Sequence, residues 1–205
     1  MNIHLYLLPM RTRDSNKEMA IREKALELIV RYGIEGFSMQ KLAKEAGVSP
    51  ATSYIYFKDK EDLIMQLYVE ASQKMATTSL KNFDPAMSFS EGLRVQWINR
   101  ARYCLKHPQQ LHFLEQIRHS PLELKWQNPA GAEFKAIMHE FVDNAIKRKE
   151  LVKVPLEVYW SVAFAPLYNL IKFHMTGKSV GGAQFIFSEK VMMKTLELVL
   201  KALKP

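Results

Sequence analysis

The 205-residue sequence contains one cysteine, Cys104. A single thiol excludes an intrachain disulfide framework and suits a reducing compartment, so a cytoplasmic location is expected. Only 8 glycines and 9 prolines interrupt the chain, and long stretches place apolar residues at spacings of three and four. That combination favours an all-helical protein. No apolar run approaches the roughly 18 residues that cross a bilayer, so no membrane partner is expected. The opening MNIHLYLLPM lacks a basic residue before its apolar stretch and a small-residue cleavage site after it. It reads as an N-terminal arm, or as a start assigned upstream of Met10, and not as a secretory leader.

The formal charge of +8 and the isoelectric point near 9.5 point to a polyanionic partner. Residues 1–60, however, hold ten Lys and Arg against seven Asp and Glu. Net charge therefore does not localise a nucleic-acid surface, and the argument has to come from local arrangement.

Residues 15–32 form a first amphipathic pattern, with Ile21, Ala25, Leu28, Ile29 and Tyr32 on one face and Gly33 as a stop. Ser38 is placed to cap a short helix over 39–46, and Gly47-Val48 to make a tight turn. Ser49-Pro50 restarts a helix that runs to about Phe57, with a capping hydroxyl and a proline at its first position. Asp59 caps a fourth helix reaching about residue 80. Further helices are expected at 88–106, 109–118, 129–149, 155–176 and 186–203. Asn128-Pro129 and Pro155 mark two of the starts, and Pro166 is expected to kink or split its helix.

The informative stretch is SMQKLAKEAGVSPATSYIYFKDK, residues 38–60. Two short helices meet at a turn containing Gly47, and Ala43 lies four residues earlier. A helix-turn-helix needs a small residue where its helices cross and a turn residue that tolerates left-handed backbone. Its second helix can then enter the major groove. Hydroxyls of Ser49, Thr52 and Ser53, phenols of Tyr54 and Tyr56, and the cations Lys58 and Lys60 suit phosphate and base-edge contacts. The same residues also suit a plain packed helix pair.

Residues 21–67 resemble the DNA-binding domain of the TetR (tetracycline repressor) family. Gly36-Phe37-Ser38, Leu42-Ala43 with Ala46-Gly47-Val48-Ser49, and Tyr54-Ile55-Tyr56-Phe57-Lys58-Asp59-Lys60-Glu61-Asp62-Leu63 carry the likeness. The resemblance implies a fold of an arm at 1–14, a three-helix DNA-binding domain at 15–62 and a larger helical effector-binding and dimerisation domain at 63–205. It implies a ligand-responsive regulator, by default a repressor, that binds a palindromic double-stranded operator as a homodimer. Position by position, Ser38 and Gln40 would touch backbone and base. Pro50, Ala51 and Thr52 would face the groove, and Tyr54, Tyr56 and Lys60 would meet phosphates. Arg11, Arg13 and Lys17 would either reach neighbouring phosphates or be merely solvated in the arm. Ser53 departs from the pattern, because helix-turn-helix units place Leu, Ile or Val there. A buried hydroxyl without a partner costs about 1–3 kcal/mol.

In the second half, Trp97, Tyr103, Phe113, Phe134, Met138, Phe141, Trp160, Phe164 and Tyr168 supply a core, and the resemblance implies that some line an effector cavity. Tyr159 and Phe173 add to this aromatic surplus. The expected effector is small and apolar or aromatic, with Asn169, His139 and His174 as candidates to orient it and the Pro166 break as a place to adjust. The stripe Ile186, Val191, Met192, Leu196, Val199, Leu200 and Leu203 is expected to pair with a second copy. His107, His112 and His119 lack the spacing of metal ligands, Cys104 reads as a core residue, and no cofactor is called for. A helical small-molecule or lipid-binding protein without a DNA role is the competing reading, and Ser49 to Lys60 is the stretch such a protein has no reason to carry.

Overall fold

The computed structural model describes residues 14–122 and 129–205; the arm residues Arg11 and Arg13, and Asn128, lie outside the described residues. Helices and no strands occur among the described residues: α1 Ser15–Gly36, α2 Met39–Glu45, α3 Pro50–Tyr56, α4 Lys60–Ser79, α5 Phe89–Lys106, α6 Pro108–Arg118, α7 Pro129–Lys147, α8 Leu156–Ala163, α9 Ala165–Thr176 and α10 Glu189–Ala202. The chain divides into two compact units, Met1–Leu67 and Tyr68–Pro205, with the division inside α4.

In the first unit, α1 begins where Asp14 Oδ1 accepts the amide N–H groups of Asn16 and Lys17. The regular helix is interrupted at Gly33 (φ 75°), as the sequence suggests, and a last turn carries it to Gly36. Ile21, Ala25, Leu28 and Ile29 are buried, and with Phe37, Leu42, Phe57 and Leu63 they build the core. Polar clamps hold α1 and α4 together at the rim of that core. Arg22 pairs with Glu18 at 3.0 Å, donates to Gln66 Oε1 at 2.6 Å and lies 5.2 Å above the Phe57 ring.

The second unit is arranged around α5. Phe89, Leu93, Trp97, Ala101 and Cys104 run along it at helical spacing, and α6, α7, α9 and α10 pack against it. Phe89 stacks on Phe141, and Gly92 lets α7 approach closely: a Cβ there would lie 2.4 Å from the Phe141 ring. Burial pushes the Cys104 thiol up to about 12, as expected for a small core residue. The Pro166 prediction resolves as a split, since α8 stops at Ala163 and Phe164 (φ −126°, ψ −30°) turns the chain into α9. Proline lacks the N–H that would continue the ladder. Trp97 Nε1 donates to the Ala163 carbonyl at 2.8 Å and so answers an acceptor at the break.

One expectation needs correction. The apolar stripe of the last helix packs within its own unit: Met192, Leu196, Val199 and Leu203 are buried against the core around α5, α8 and α9. A helix at the edge of a bundle buries its stripe there because nearby apolar surface is the first available. Ile186 and Leu198 are the large apolar side chains left outward, at 66% and 60% exposure.

Gly92→Ala should destabilise the second unit by about 1–3 kcal/mol, because the added methyl overpacks Phe141. Denaturant unfolding monitored by circular dichroism measures the loss; an unchanged midpoint would show that α7 moves away without cost.

Candidate functional site

Each short helix of the helix-turn-helix starts on a side-chain cap. Ser38 Oγ accepts the Lys41 amide at 3.2 Å to start α2, and Ser49 Oγ accepts the Thr52 amide at 3.2 Å to start α3. Between them, the Val48 amide donates to the Ala43 carbonyl and the Gly47 amide to the Lys44 carbonyl. This pair of bonds needs a left-handed residue at Gly47, whose φ is 65°. Asp59 Oδ1 accepts the Asp62 amide and Asp62 Oδ2 accepts the Lys58 amide, so α4 starts on reciprocal caps.

Seven residues of α3 divide into an inner pair and an outer face. Ser53 and Tyr56 point inward and are buried. Ser49, Pro50, Ala51, Tyr54 and Ile55 are exposed, with Tyr54 at 52% and Ile55 at 50%. Ser38 and Gln40 on α2 are also exposed, while Thr52 and Lys60 are half-buried. The structure therefore collects Ser49, Pro50, Ala51 and Tyr54 on one outward surface and adds Ile55. A short capped helix with small residues at its start and an aromatic and a branched apolar side chain outward suits groove insertion. Base edges and thymine methyls offer it polar and apolar partners.

Tyr56 sits differently from Tyr54. Its ring is buried at 7% exposure, and its hydroxyl accepts the Asp14 amide at 3.3 Å. It ties the end of α3 to the start of α1, so the side chain read from sequence as a phosphate contact serves the fold. Ser53 is buried, and its Oγ has no hydrogen-bond partner among the described residues.

Among the described residues, two of the cavities in the second unit share Met75, Leu114, Arg118, Trp160 and Tyr168. The first, of about 170 Å³, is lined also by Tyr68, Ser72, Ala76, Ser79, Arg100, Gly131 and Phe134. The second, of about 250 Å³, adds Leu111, Glu115, Ser161, Ala165 and Asn169. Of the aromatic set read from sequence, Phe134, Trp160 and Tyr168 reach the first cavity. Trp97, Tyr103, Phe113, Met138, Phe141 and Phe164 are instead packed in the interior, because the inward faces of α5, α6, α7 and the α8–α9 junction fill one another. Asn169 lines the second cavity; His139 is exposed, and His174 accepts the Phe187 amide.

Sequence reading missed the α4 contribution (Tyr68, Ser72, Met75, Ala76 and Ser79) and it missed Arg100. The α4 residues at spacings of three and four gave a signal, but the run of aromatics further along the chain overshadowed it. An arginine on a helix gives no such signal, since most lie in solvent.

Residues 21–67 match the family model described as bacterial regulatory proteins, tetR family. An HTH-type transcriptional regulator of Haemophilus influenzae is 36% identical over 94 residues, 46% of this chain, and the chain spans half of that relative's length. The HTH-type transcriptional repressor AcnR of Corynebacterium efficiens is 26% identical over 175 residues, covering 82% of this chain and 86% of that protein. A TetR family transcription regulator from Marinobacter aquaeolei superposes with a TM-score of 0.74 at 28% identity, covering 95% of this chain and 99% of that structure.

Ser53→Ala should raise the unfolding free energy of the first unit by about 1 kcal/mol, since it removes a desolvated hydroxyl. Tyr56→Ala should lower it by roughly 3 kcal/mol through the lost buried ring, and Tyr54→Ala should change it by less than about 0.5 kcal/mol. Urea unfolding of the full chain gives all three values; equal losses at Tyr54 and Tyr56 would contradict the inner and outer assignment.

Proposed function

Because the chain belongs to the TetR family of bacterial regulatory proteins, we propose that it is a ligand-responsive repressor that binds a palindromic operator as a homodimer. The observation that carries the DNA reading is the outward face of α3, with Tyr54 and Ile55 half-exposed beside the small residues Pro50 and Ala51. A packed helix pair with no external partner would turn the branched apolar Ile55 inward and Ser53 outward; the reverse occurs here. Repression is supported by AcnR, a named transcriptional repressor matched along most of its length. The cavities of the second unit support ligand response.

The ligand-response mechanism follows from linkage. A ligand that fits one shape of the second unit better than another shifts the population of shapes, and DNA affinity changes by the same factor as ligand affinity. The helix α4 carries Lys60 near its start and the cavity residues Ser72, Met75 and Ser79 further along. One helix thus carries residues of both sites in its sequence.

Dimerisation solves the reading problem, because a single helix-turn-helix covers too few base pairs. Two copies reading half-sites on one face of the duplex, about 34 Å or a larger groove-compatible distance apart, give a palindromic footprint. The exposed apolar side chains Ile186 and Leu198 support a partner surface beside α10.

Three outcomes follow. Tyr54→Ala and Lys60→Ala should weaken binding to every sequence, and Lys60→Ala, which removes a cation from a phosphate, should also reduce the slope of log affinity against log salt by about 0.9. Thr52→Ala should relax the preference between operators. Equal affinity of the wild type for its own upstream region and for scrambled DNA at moderate salt would reject sequence-specific reading. Leu198→Glu with Ile186→Glu should yield a helical monomer in sedimentation equilibrium; an unchanged dimer would place the interface elsewhere.

A further inference from the structure

Arg100 is buried to 2% exposure on α5 and lines the first cavity. No carboxylate among the described residues lies within ion-pair distance of it. Its Nη1 donates to the Tyr168 hydroxyl at 2.8 Å and its Nη2 to Gln96 Oε1 at 3.3 Å, while Nε has no partner. The faces of Phe164, Trp160 and Phe134 lie 4.4, 5.3 and 5.4 Å from its Cζ. These rings and two neutral acceptors temper the charge, but they do not neutralise it. A buried guanidinium is usually paired, because desolvation is costly without a counter-charge.

Other polar groups face the same place. Tyr168 accepts from Arg100, which leaves its own O–H proton to donate, and the phenol stays protonated because burial raises its pKa. Gln96 Nε2 is also buried without a partner. Arg118 lines both cavities from an exposed position and adds a second positive charge. Glu115 lines the second cavity but forms no ion pair with either arginine. Around these donors the walls are apolar: Met75, Leu114, Phe134 and Trp160.

We propose that this cavity binds a small amphipathic carboxylate, its acid group held by Arg100 and Tyr168 and its apolar or aromatic body held between Met75, Leu114, Phe134 and Trp160. The inference rests on the ligand-responsive reading above and gives the effector a charge that the aromatic residues alone do not indicate. A carboxylate fits better than a phosphate dianion, because one planar guanidinium and one phenol match its two coplanar oxygens. Cavities of about 170 and 250 Å³ fall below the roughly 300–1,000 Å³ of sites for drug-sized molecules. The acid is therefore small: a single ring or a short chain.

The test uses matched probes, phenylacetate with phenylacetamide and octanoate with octanamide, titrated calorimetrically into the full-length protein at pH 7. At least one carboxylate should bind tenfold or more tightly than its amide. Arg100→Met should abolish that preference while raising the melting temperature of the free protein, because an uncompensated charge is removed. Arg100→Lys, which keeps the charge, should retain part of the preference. Operator binding is measured on the same preparations. Amides binding as well as carboxylates would overturn the acid inference and leave ligand response standing. If no probe binds while operator binding is intact, both the inference and the effector role of this cavity fall. A lower melting temperature for Arg100→Met would mark Arg100 as structural and would also overturn the proposal.

Discussion

A polar group on the buried face of a helix has to be answered from within the protein. The inward face of the central helix α5 lives under that constraint. Its apolar positions make the core, and its polar positions Gln96, Trp97 and Arg100 dictate what the neighbouring elements can do. The indole of Trp97 finds its acceptor only because the chain breaks at Phe164 and exposes the Ala163 carbonyl to it. The guanidinium of Arg100 finds a phenol, an amide oxygen and three aromatic faces. The polar groups of α5 are thus answered by the break that Pro166 imposes between α8 and α9 and by the aromatic side chains near the cavity.

In the first unit the corresponding constraint is smaller in scale. Its two seven-residue helices, α2 and α3, cannot rely on helix propensity, since isolated helices below about 12 residues are marginal in water. Caps and tertiary clamps hold it together: Ser38, Ser49 and the reciprocal Asp59 and Asp62 at the helix starts, Gly47 at the turn, and Tyr56 across to Asp14. With the ends fixed in this way, α3 does not need an apolar residue at every inward position. It tolerates Ser53 inside and places Ile55 outside.

Much of this was legible in the sequence, for physical reasons that differ from residue to residue. Caps and breakers act locally, so Ser38, Gly47, Ser49-Pro50 and Pro166 carry their structural meaning wherever they occur. The orphaned Ser53 was legible because its position relative to Gly47 fixes its direction. Tyr54 and Tyr56 have the same chemistry two residues apart, and their opposite roles depend on where the start of α1 lies, which local pattern does not encode. The stripe on α10 was read as a surface because an amphipathic pattern shows that a face is covered without showing by what. Arg100 was invisible for the converse reason: its burial depends on which neighbours cover its face of α5, a property of the assembled unit.

Where local rules fail in a folded protein, the failures are expected at functional or strained sites. The unanswered buried atoms cluster. Ser53 Oγ sits in α3, while Gln96 Nε2 and Arg100 Nε sit one helical turn apart on α5. The Tyr159 hydroxyl, also unanswered, lies within the electrostatic influence of Arg100. Random imperfection would scatter such groups through the two cores. Here one falls on the proposed reading helix, and Gln96 Nε2, Arg100 Nε and the Tyr159 hydroxyl lie around one guanidinium of the second unit. A group left without its counterpart by the protein is a group available to a ligand, and the concentration of these groups around one guanidinium is what makes the acid-binding assignment specific.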